Sequence, residues 1–148
     1  MKRVIAVLLL PLVVAPALAA APQTRTILVF PFENRSASAD LGWISEAFAQ
    51  VLSTRLAGPG RFVLGREERN GAYKQLGVPP DTPLTLASEY EVAQTLGVDW
   101  MVIGSFKVTG QQLSAQAQLL GVSSLKLDPP IEETDALSNL IAVQNRLA

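Results

Sequence analysis

The stretch Ile27–Ile44, ILVFPFENRSASADLGWI, sets an apolar strand, a polar loop from Glu33 to Ala39 and a helix start at Asp40 in succession. That order is the usual geometry of an anion site, because the first N–H groups of a helix have no partners within it. A phosphate cradle also needs glycines where backbone approaches the phosphate. The loop has none, and Gly42 already falls within the helix. The stretch therefore reads as a strand-to-helix crossover. Pro31 ends ladder pairing, and Asn34, Ser36 or Ser38 satisfy loop backbone groups. Asn34, Arg35, Ser36, Asp40 and Trp43 form the candidate contact surface. Trp43 lies beside the apolar stripe of the helix, and burial is expected over exposure.

Other chemistries are bounded by two zero counts. The chain has no Cys and no His. A Cys nucleophile, a Ser-His-Asp triad and His- or Cys-ligated zinc are thereby excluded. Carboxylates, Lys, Tyr and hydroxyls are left. Glu67 and Glu68 are adjacent, as are Glu132 and Glu133, so the members of each pair point different ways. A glycosidase needs two carboxylates facing each other at about 5–10 Å. Both pairs read as solvated surface charge. Asp99 reads as closing a helix–strand turn, not as a metal ligand. No catalytic, cofactor-binding or metal residue is assigned, and a non-enzyme without a cofactor is expected.

The amino terminus has the form of an export signal: Lys2 and Arg3, the apolar run VIAVLLLPLVV and the small-residue pattern Ala17–Ala19. Pro11 and Pro16 interrupt the run, which favours a cleaved signal, residues 1–19, over an anchor. No Cys follows, so no lipid anchor is expected, and the protein reads as periplasmic or secreted. Removing Lys2 and Arg3 leaves 10 basic against 13 acidic residues, a net charge of −3. A mildly acidic domain without a basic run is a poor nucleic-acid binder. After Ala21 no apolar run is long enough to span a bilayer, so no stable membrane insertion is expected once the signal is removed.

The elements that must position these residues follow from periodicity. Thr26–Phe30 is apolar on both faces, the mark of a covered strand. Leu41–Leu56 reads as a helix with Leu41, Ile44, Phe48, Val51, Leu52 and Leu56 on one stripe, Asp40 capping it and Gly58–Gly60 stopping it. Phe62–Leu64 is a short strand, Glu67–Leu76 one or two helical turns, and Gly77–Leu84 a loop. Thr82 before Pro83 resembles an N-cap for a helix carrying Leu86, Tyr90, Ala93 and Leu96, with Gly97 ending it and Val98 folding back on Ala93. Trp100–Ile103 is apolar on both faces. Alternation from Gly104 through Leu119 predicts a hairpin, turning near Gly110, with one wet face. Leu125 and Leu127 suggest a short edge strand before Pro129 and Pro130. Asp135 is placed to cap a last helix with Leu137, Leu140, Ile141 and Leu147 on its stripe, helped by Val143. The stripe runs to Ala148 without a stop signal, so residues 135–148 are expected to begin a connector helix in a longer protein. The fold expected for residues 25–134 is one α/β domain: a mixed sheet of about four to five strands with helices mainly on one face.

These residues also carry a resemblance. ILVFPFENRSASADLGWISEAFAQVLSTRLAGPGRFVLGREE resembles the opening of the TolB amino-terminal-like domain: an apolar strand ending in Pro-Phe-x-Asn, a Ser-rich loop, then a helix with Leu-Ser-x-x-Leu near its end. AQTLGVDWMVIGSFKVTGQQLSAQAQLL is similar to the second half of that family, and DALSNLIAVQNRLA to its following helix. The resemblance implies an α/β domain of bacterial envelope proteins, often placed before tetratricopeptide repeats, with no catalytic residue to carry over. The function expected is a non-enzymatic interaction module with a protein partner. The alternatives are a small-ligand or cell-wall-glycan binding domain using the loops after Phe30 and Leu64, and, further off, a carboxylate-based hydrolase.

Overall fold

Apolar residues on both sides of a strand require cover on both sides, and the computed structural model shows how this chain supplies it. It describes residues 23–79 and 82–148; the expected signal, residues 1–19, lies outside them. The elements are β1 Arg25–Val29, β2 Glu33–Asn34, α1 Trp43–Leu56, β3 Arg61–Leu64, α2 Arg66–Leu76, α3 Leu86–Thr95, β4 Trp100–Thr109, β5 Gln112–Gly121, β6 Ile131–Ala136 and α4 Leu140–Leu147. They build one mixed six-stranded sheet in the order β3-β1-β4-β5-β6, with β2 pairing β4 beyond the end of β1.

The strands from Ile27 and Trp100 are neighbours, as their two-sided apolar character requires. β1 and β4 are parallel with Ile27 opposite Trp100 and Val29 opposite Val102. β4–β5 is the expected hairpin, Phe106 opposite Ala115, with Gly110 supplying the left-handed turn residue (φ 61°). Ile27 and Val29 face a core with Ile44, Phe48 and Leu52 of α1 and Val143 and Leu147 of α4. Leu28 and Phe30 face a second core with Ala72 and Tyr73 of α2 and Val92 and Ala93 of α3.

The mixed α/β sheet is thus as expected, but two helices cover each face instead of most lying on one. α2 accounts for the difference. It runs a full 11 residues, and although polar in composition it buries Arg69, Ala72 and Tyr73. Four boundaries also move. Thr85, not Thr82, caps α3: its hydroxyl accepts from the N–H of Ser88 at 3.2 Å, and the two hydroxyls lie 3.0 Å apart. Asp40 does not cap α1, because it lies in a 3-10 turn, Ala39–Leu41, that leads through Gly42 into the helix. Leu125 and Leu127 make only a single bridge, Leu120 to Leu127. The edge strand is β6, IEETDA, whose charges suit an exposed sheet edge. Asp135 therefore belongs to β6, and α4 begins at Leu140. The buried face of α4 is Val143, Gln144 and Leu147, while Ile141 is 69% exposed.

Candidate functional site

The loop after β1 is held by its own side chains. Asn34 Oδ1 accepts from the N–H of Ser36 at 2.9 Å, and Asn34 Nδ2 donates to the Ser38 carbonyl at 3.0 Å. Ser36 Oγ accepts from the N–H of Val108 at 2.9 Å, and the Arg35 N–H donates to the Phe106 carbonyl at 2.8 Å. Asn34 and Ser36 thus lock the loop onto β4, as the crossover reading requires. Arg35 points elsewhere: its guanidinium pairs with Glu33 at 2.8 Å on the solvent side. Asp40 is exposed. Trp43 is 62% exposed on the first turn of α1, against the expected burial, because Ile44 and Phe48 occupy the stripe beside it. The five candidates therefore divide into a loop lock (Asn34 and Ser36), a charge paired with Glu33 (Arg35), an exposed acid in the 3-10 turn (Asp40) and an exposed aromatic (Trp43). They do not converge on one pocket.

Two concavities lie nearby. Among the described residues no helix covers the half of the β4–β5–β6 sheet opposite α4, and its registers align Ser105, Gln116 and Glu132 in one row and Lys107, Ser114 and Thr134 in the next. With Arg35 they line a polar trough of about 240 Å³. Glu33 pairs in register with Ser105, so Glu33 and Glu132 stand three strand spacings apart, roughly 14 Å. That exceeds the separation a carboxylate pair needs for glycoside hydrolysis. Across the sheet, an apolar groove of about 370 Å³ opens between the last turns of α1 and α4. Glu133 and Asp135 face α4, where Arg146 pairs with them at 2.6 and 3.0 Å. The adjacent glutamates do point apart, on opposite faces of a strand. Among the described residues no group of three or more Asp and Glu is placed to hold a metal ion.

No sequence pattern signals the buried ionic cluster at the carboxyl end of β1. Arg69 of α2 is 3% exposed. Its Nη1 donates to the Val29 carbonyl at 3.1 Å, and its Nη2 to both oxygens of Glu46 at 2.7 and 2.6 Å. This ties α2 to β1 and α1 at one point. Burial pushes the nearby Tyr73 phenol up to about 12, although Arg69 pulls the other way. Burial, then the charge of Glu33, pushes Glu89 up to about 7. Arginine inside a polar segment carries no periodic pattern, so only the fold brings Arg69 to Glu46.

No protein-family model matches the chain, and no curated protein does. Solved structures share its fold. The LpoB C-terminal domain from Salmonella enterica aligns over 80% of this chain and 87% of its own with a TM-score of 0.61 at 16% identity. Lipoprotein GNA1162 from Neisseria meningitidis aligns over 82% and 94%, TM-score 0.56, at 22% identity. TolB from Acinetobacter baumannii aligns over 84% of this chain but 26% of its own, TM-score 0.54, at 15% identity. At these identities the likeness is one of fold, and it includes the TolB-like architecture that the opening strand, loop and helix suggested.

Proposed function

We propose that the chain is a non-enzymatic protein-interaction module of the bacterial cell envelope, exported to the periplasm or beyond and continued, as the resemblance implies, by helical repeats. The observation that carries it is the exposure of Trp43. It stands on the first turn of α1, and Ile141, equally exposed, stands on the first turn of the neighbouring α4. Exposed large apolar groups on adjacent helices are a contact surface, and tryptophan is among the residues that dominate binding energy at such surfaces. The fold shared with LpoB, a Neisseria lipoprotein and TolB supports an envelope setting. The test is site-specific photocrosslinking in cells. A photoreactive phenylalanine analogue at position 43 is expected to give a discrete crosslinked protein that disappears with Ile141→Asp, while the same analogue at the exposed Gln50 gives none. No position-specific product at 43 would reject the reading.

The polar trough supports a second reading, a site for a small polar ligand or a cell-wall glycan. Uncovered Lys107, Arg35, Ser114, Thr134 and Gln116 side chains offer donors and acceptors suited to hydroxyl groups. Titration with soluble muropeptides, compared between the protein and its Lys107→Glu variant, decides it.

A further inference from the structure

The polar trough lies toward the β4–β5 turn, and its walls come from β4, β5, β6 and the residue that follows β2. Arg25 and Leu147 lie at the other end of the sheet, where Ile27 pairs with Trp100, and Leu147 is on the opposite face. At about 3.3 Å per residue, Lys107 stands roughly 23 Å further along β4 than Trp100. We propose that this trough seats a short extended peptide of about three residues, with its free carboxylate at Lys107 and its free ammonium at Glu132. The inference rests on the reading of the trough as a site for a small polar ligand, and names the ligand.

Charge selects that occupant. At one end of the trough, Arg35 follows the Asn34–Phe106 pair of β2 and β4, which sets it beside Lys107. Glu33 matches Arg35 at 2.8 Å, but among the described residues Lys107 has no carboxylate within 4.0 Å. At the other end Glu132 has no cation within 4.0 Å, because Arg146 is spent on Glu133 and Asp135 across the sheet. Glu132 pairs with Gln116, one row of side chains away from Lys107, Ser114 and Thr134. Two strand spacings of about 4.8 Å and two residues of about 3.3 Å thus separate Lys107 from Glu132, roughly 12 Å along the diagonal. Three extended residues span about 10 Å, so a tripeptide brings one charge of each sign to the two unmatched groups.

The surface between the charges suits a peptide backbone. Ser105, Ser114, Gln116 and Thr134 line it, and their hydroxyls and amide both donate and accept. The Thr134 hydroxyl donates to Ser114 Oγ at 3.2 Å, which leaves the Ser114 hydroxyl its own proton to donate. Peptide N–H and C=O groups laid there find partners that an apolar floor would deny them. A single amino acid, with its charges on neighbouring groups, cannot reach both ends. A neutral sugar answers neither charge and finds no aromatic face to stack on. Phe106, the aromatic residue of the lining, turns its ring into the core beside Phe48 at a centroid distance of 5.9 Å.

The probe is trialanine, free at both ends, titrated into isotope-labelled protein and followed by amide chemical shifts. Saturable shifts at Lys107, Ser114 and Thr134 are expected. Acetylating the probe's amino group, or amidating its carboxylate, should each weaken binding about threefold, the size of one exposed charge pair. In Lys107→Gln the amidated and free-acid probes should bind alike while acetylation still weakens binding. In Glu132→Gln the reverse should hold. The discrimination that each variant retains also shows that it is folded. Binding that ignores both blocking groups, or saturable shifts confined to other residues, overturns the proposal. Saturable binding of chitotriose at the same amides, without a response to trialanine, also overturns it but keeps the small-ligand reading of the trough. Shifts at these amides that follow protein concentration alone would assign the trough to a second copy and overturn it too. No binding of trialanine, chitotriose or soluble muropeptides removes both the proposal and that reading.

Discussion

The carboxylate of Asp99 accepts two hydrogen bonds from one residue, Thr26: the backbone N–H at 2.8 Å and the hydroxyl at 2.9 Å. The Asp99 N–H returns a bond to the Thr26 carbonyl at 3.0 Å. Residues 73 apart in the chain are thereby fixed where two parallel strands begin, and the register of Ile27 with Trp100 follows from it. Asp99 stands in the turn between α3 and β4, as expected of it, and its carboxylate binds β1.

Asp99→Ala should cost about 1–2 kcal/mol at pH 7, the range for charged hydrogen bonds in a partly exposed setting. The Thr26 N–H, then its hydroxyl, hold the Asp99 carboxyl below the usual value of 3.8. A depressed folded value stabilises above the ordinary one and is lost as pH falls through the folded one. The gap in melting temperature between wild type and variant should therefore be full at pH 6 and shrink below pH about 3.8. A gap that is constant with pH would remove the charge from the explanation.

Glu89 should act in the opposite sense. Burial first, and the Glu33 carboxylate second, push it up to about 7. Its neutral form is favoured in the fold, so its contribution is complete below pH about 4.5 and is lost as pH rises through about 7. Glu89→Gln is expected to match wild type near pH 5 and to melt at a higher temperature at pH 8. Parallel stability curves for the two proteins would contradict this.

Apolar pattern alone located β1, α1, α3 and the β4–β5 hairpin, because each buries a face set by its own periodicity. Elements held by charge were not legible. β6 alternates Glu133 and Asp135 against Thr134 and Glu132, and its inward charges are tolerated only because Arg146 arrives from α4. Arg69 is buried only because Glu46 and the Val29 carbonyl meet it. Of the candidate site, Asn34 and Ser36 were legible as loop locks, since short polar side chains bond local backbone. The exposure of Trp43 was not, because a residue beside a stripe has no periodic signal of its own.

Removing Arg69 should expose that dependence. Arg69→Met leaves Glu46 only the longer pairing with the exposed Arg66 at 3.8 Å, and breaking a buried pair costs about 3–5 kcal/mol, reduced here because Glu46 is partly exposed and keeps that second partner. A loss of about 2–4 kcal/mol is expected in urea unfolding. Adding Glu46→Gln should recover part of it by removing the stranded charge. A double variant as unstable as the sum of both singles would show that the two side chains act independently.

Gly104 has a packing reason to lack a side chain. A Cβ there would lie 2.5 Å from the Phe32 ring and 2.6 Å from the Gln116 carbonyl. Phe32 stacks on Phe48 at a centroid distance of 4.5 Å, so it has little room to retreat. Gly104→Ala should cost about 1–3 kcal/mol, the usual range for overpacking. Phe32→Leu should relieve part of that cost in the double variant, measured as a coupling in a double-mutant cycle.

The face that α4 buries decides between two substitutions two residues apart. Apolar spacing puts Leu137, Leu140, Ile141 and Leu147 on one stripe, helped by Val143, which would make Ile141 an inward residue. In the fold, Val143 is fully buried and Leu147 is 6% exposed, both in the core shared with Phe48 and Leu113, while Ile141 points to solvent. The start at Leu140 explains the shift. β6 holds the chain through Ala136, and the Leu137 N–H donates to the Gln111 carbonyl at 2.7 Å, so the helix is rotated to present Val143 and Leu147 to the sheet. Val143→Asp places an unpaired charge in that core. Its cost of several kcal/mol is comparable with the whole stability of a small domain, about 5–15 kcal/mol. Ile141→Asp changes only exposed surface and should stay within about 0.5 kcal/mol of wild type. Circular-dichroism melts of the two variants side by side are the check. A cooperative, near-native transition for Val143→Asp, or a large loss for Ile141→Asp, would reverse the assigned face, and with it the exposure of Ile141 on which the proposed contact surface draws.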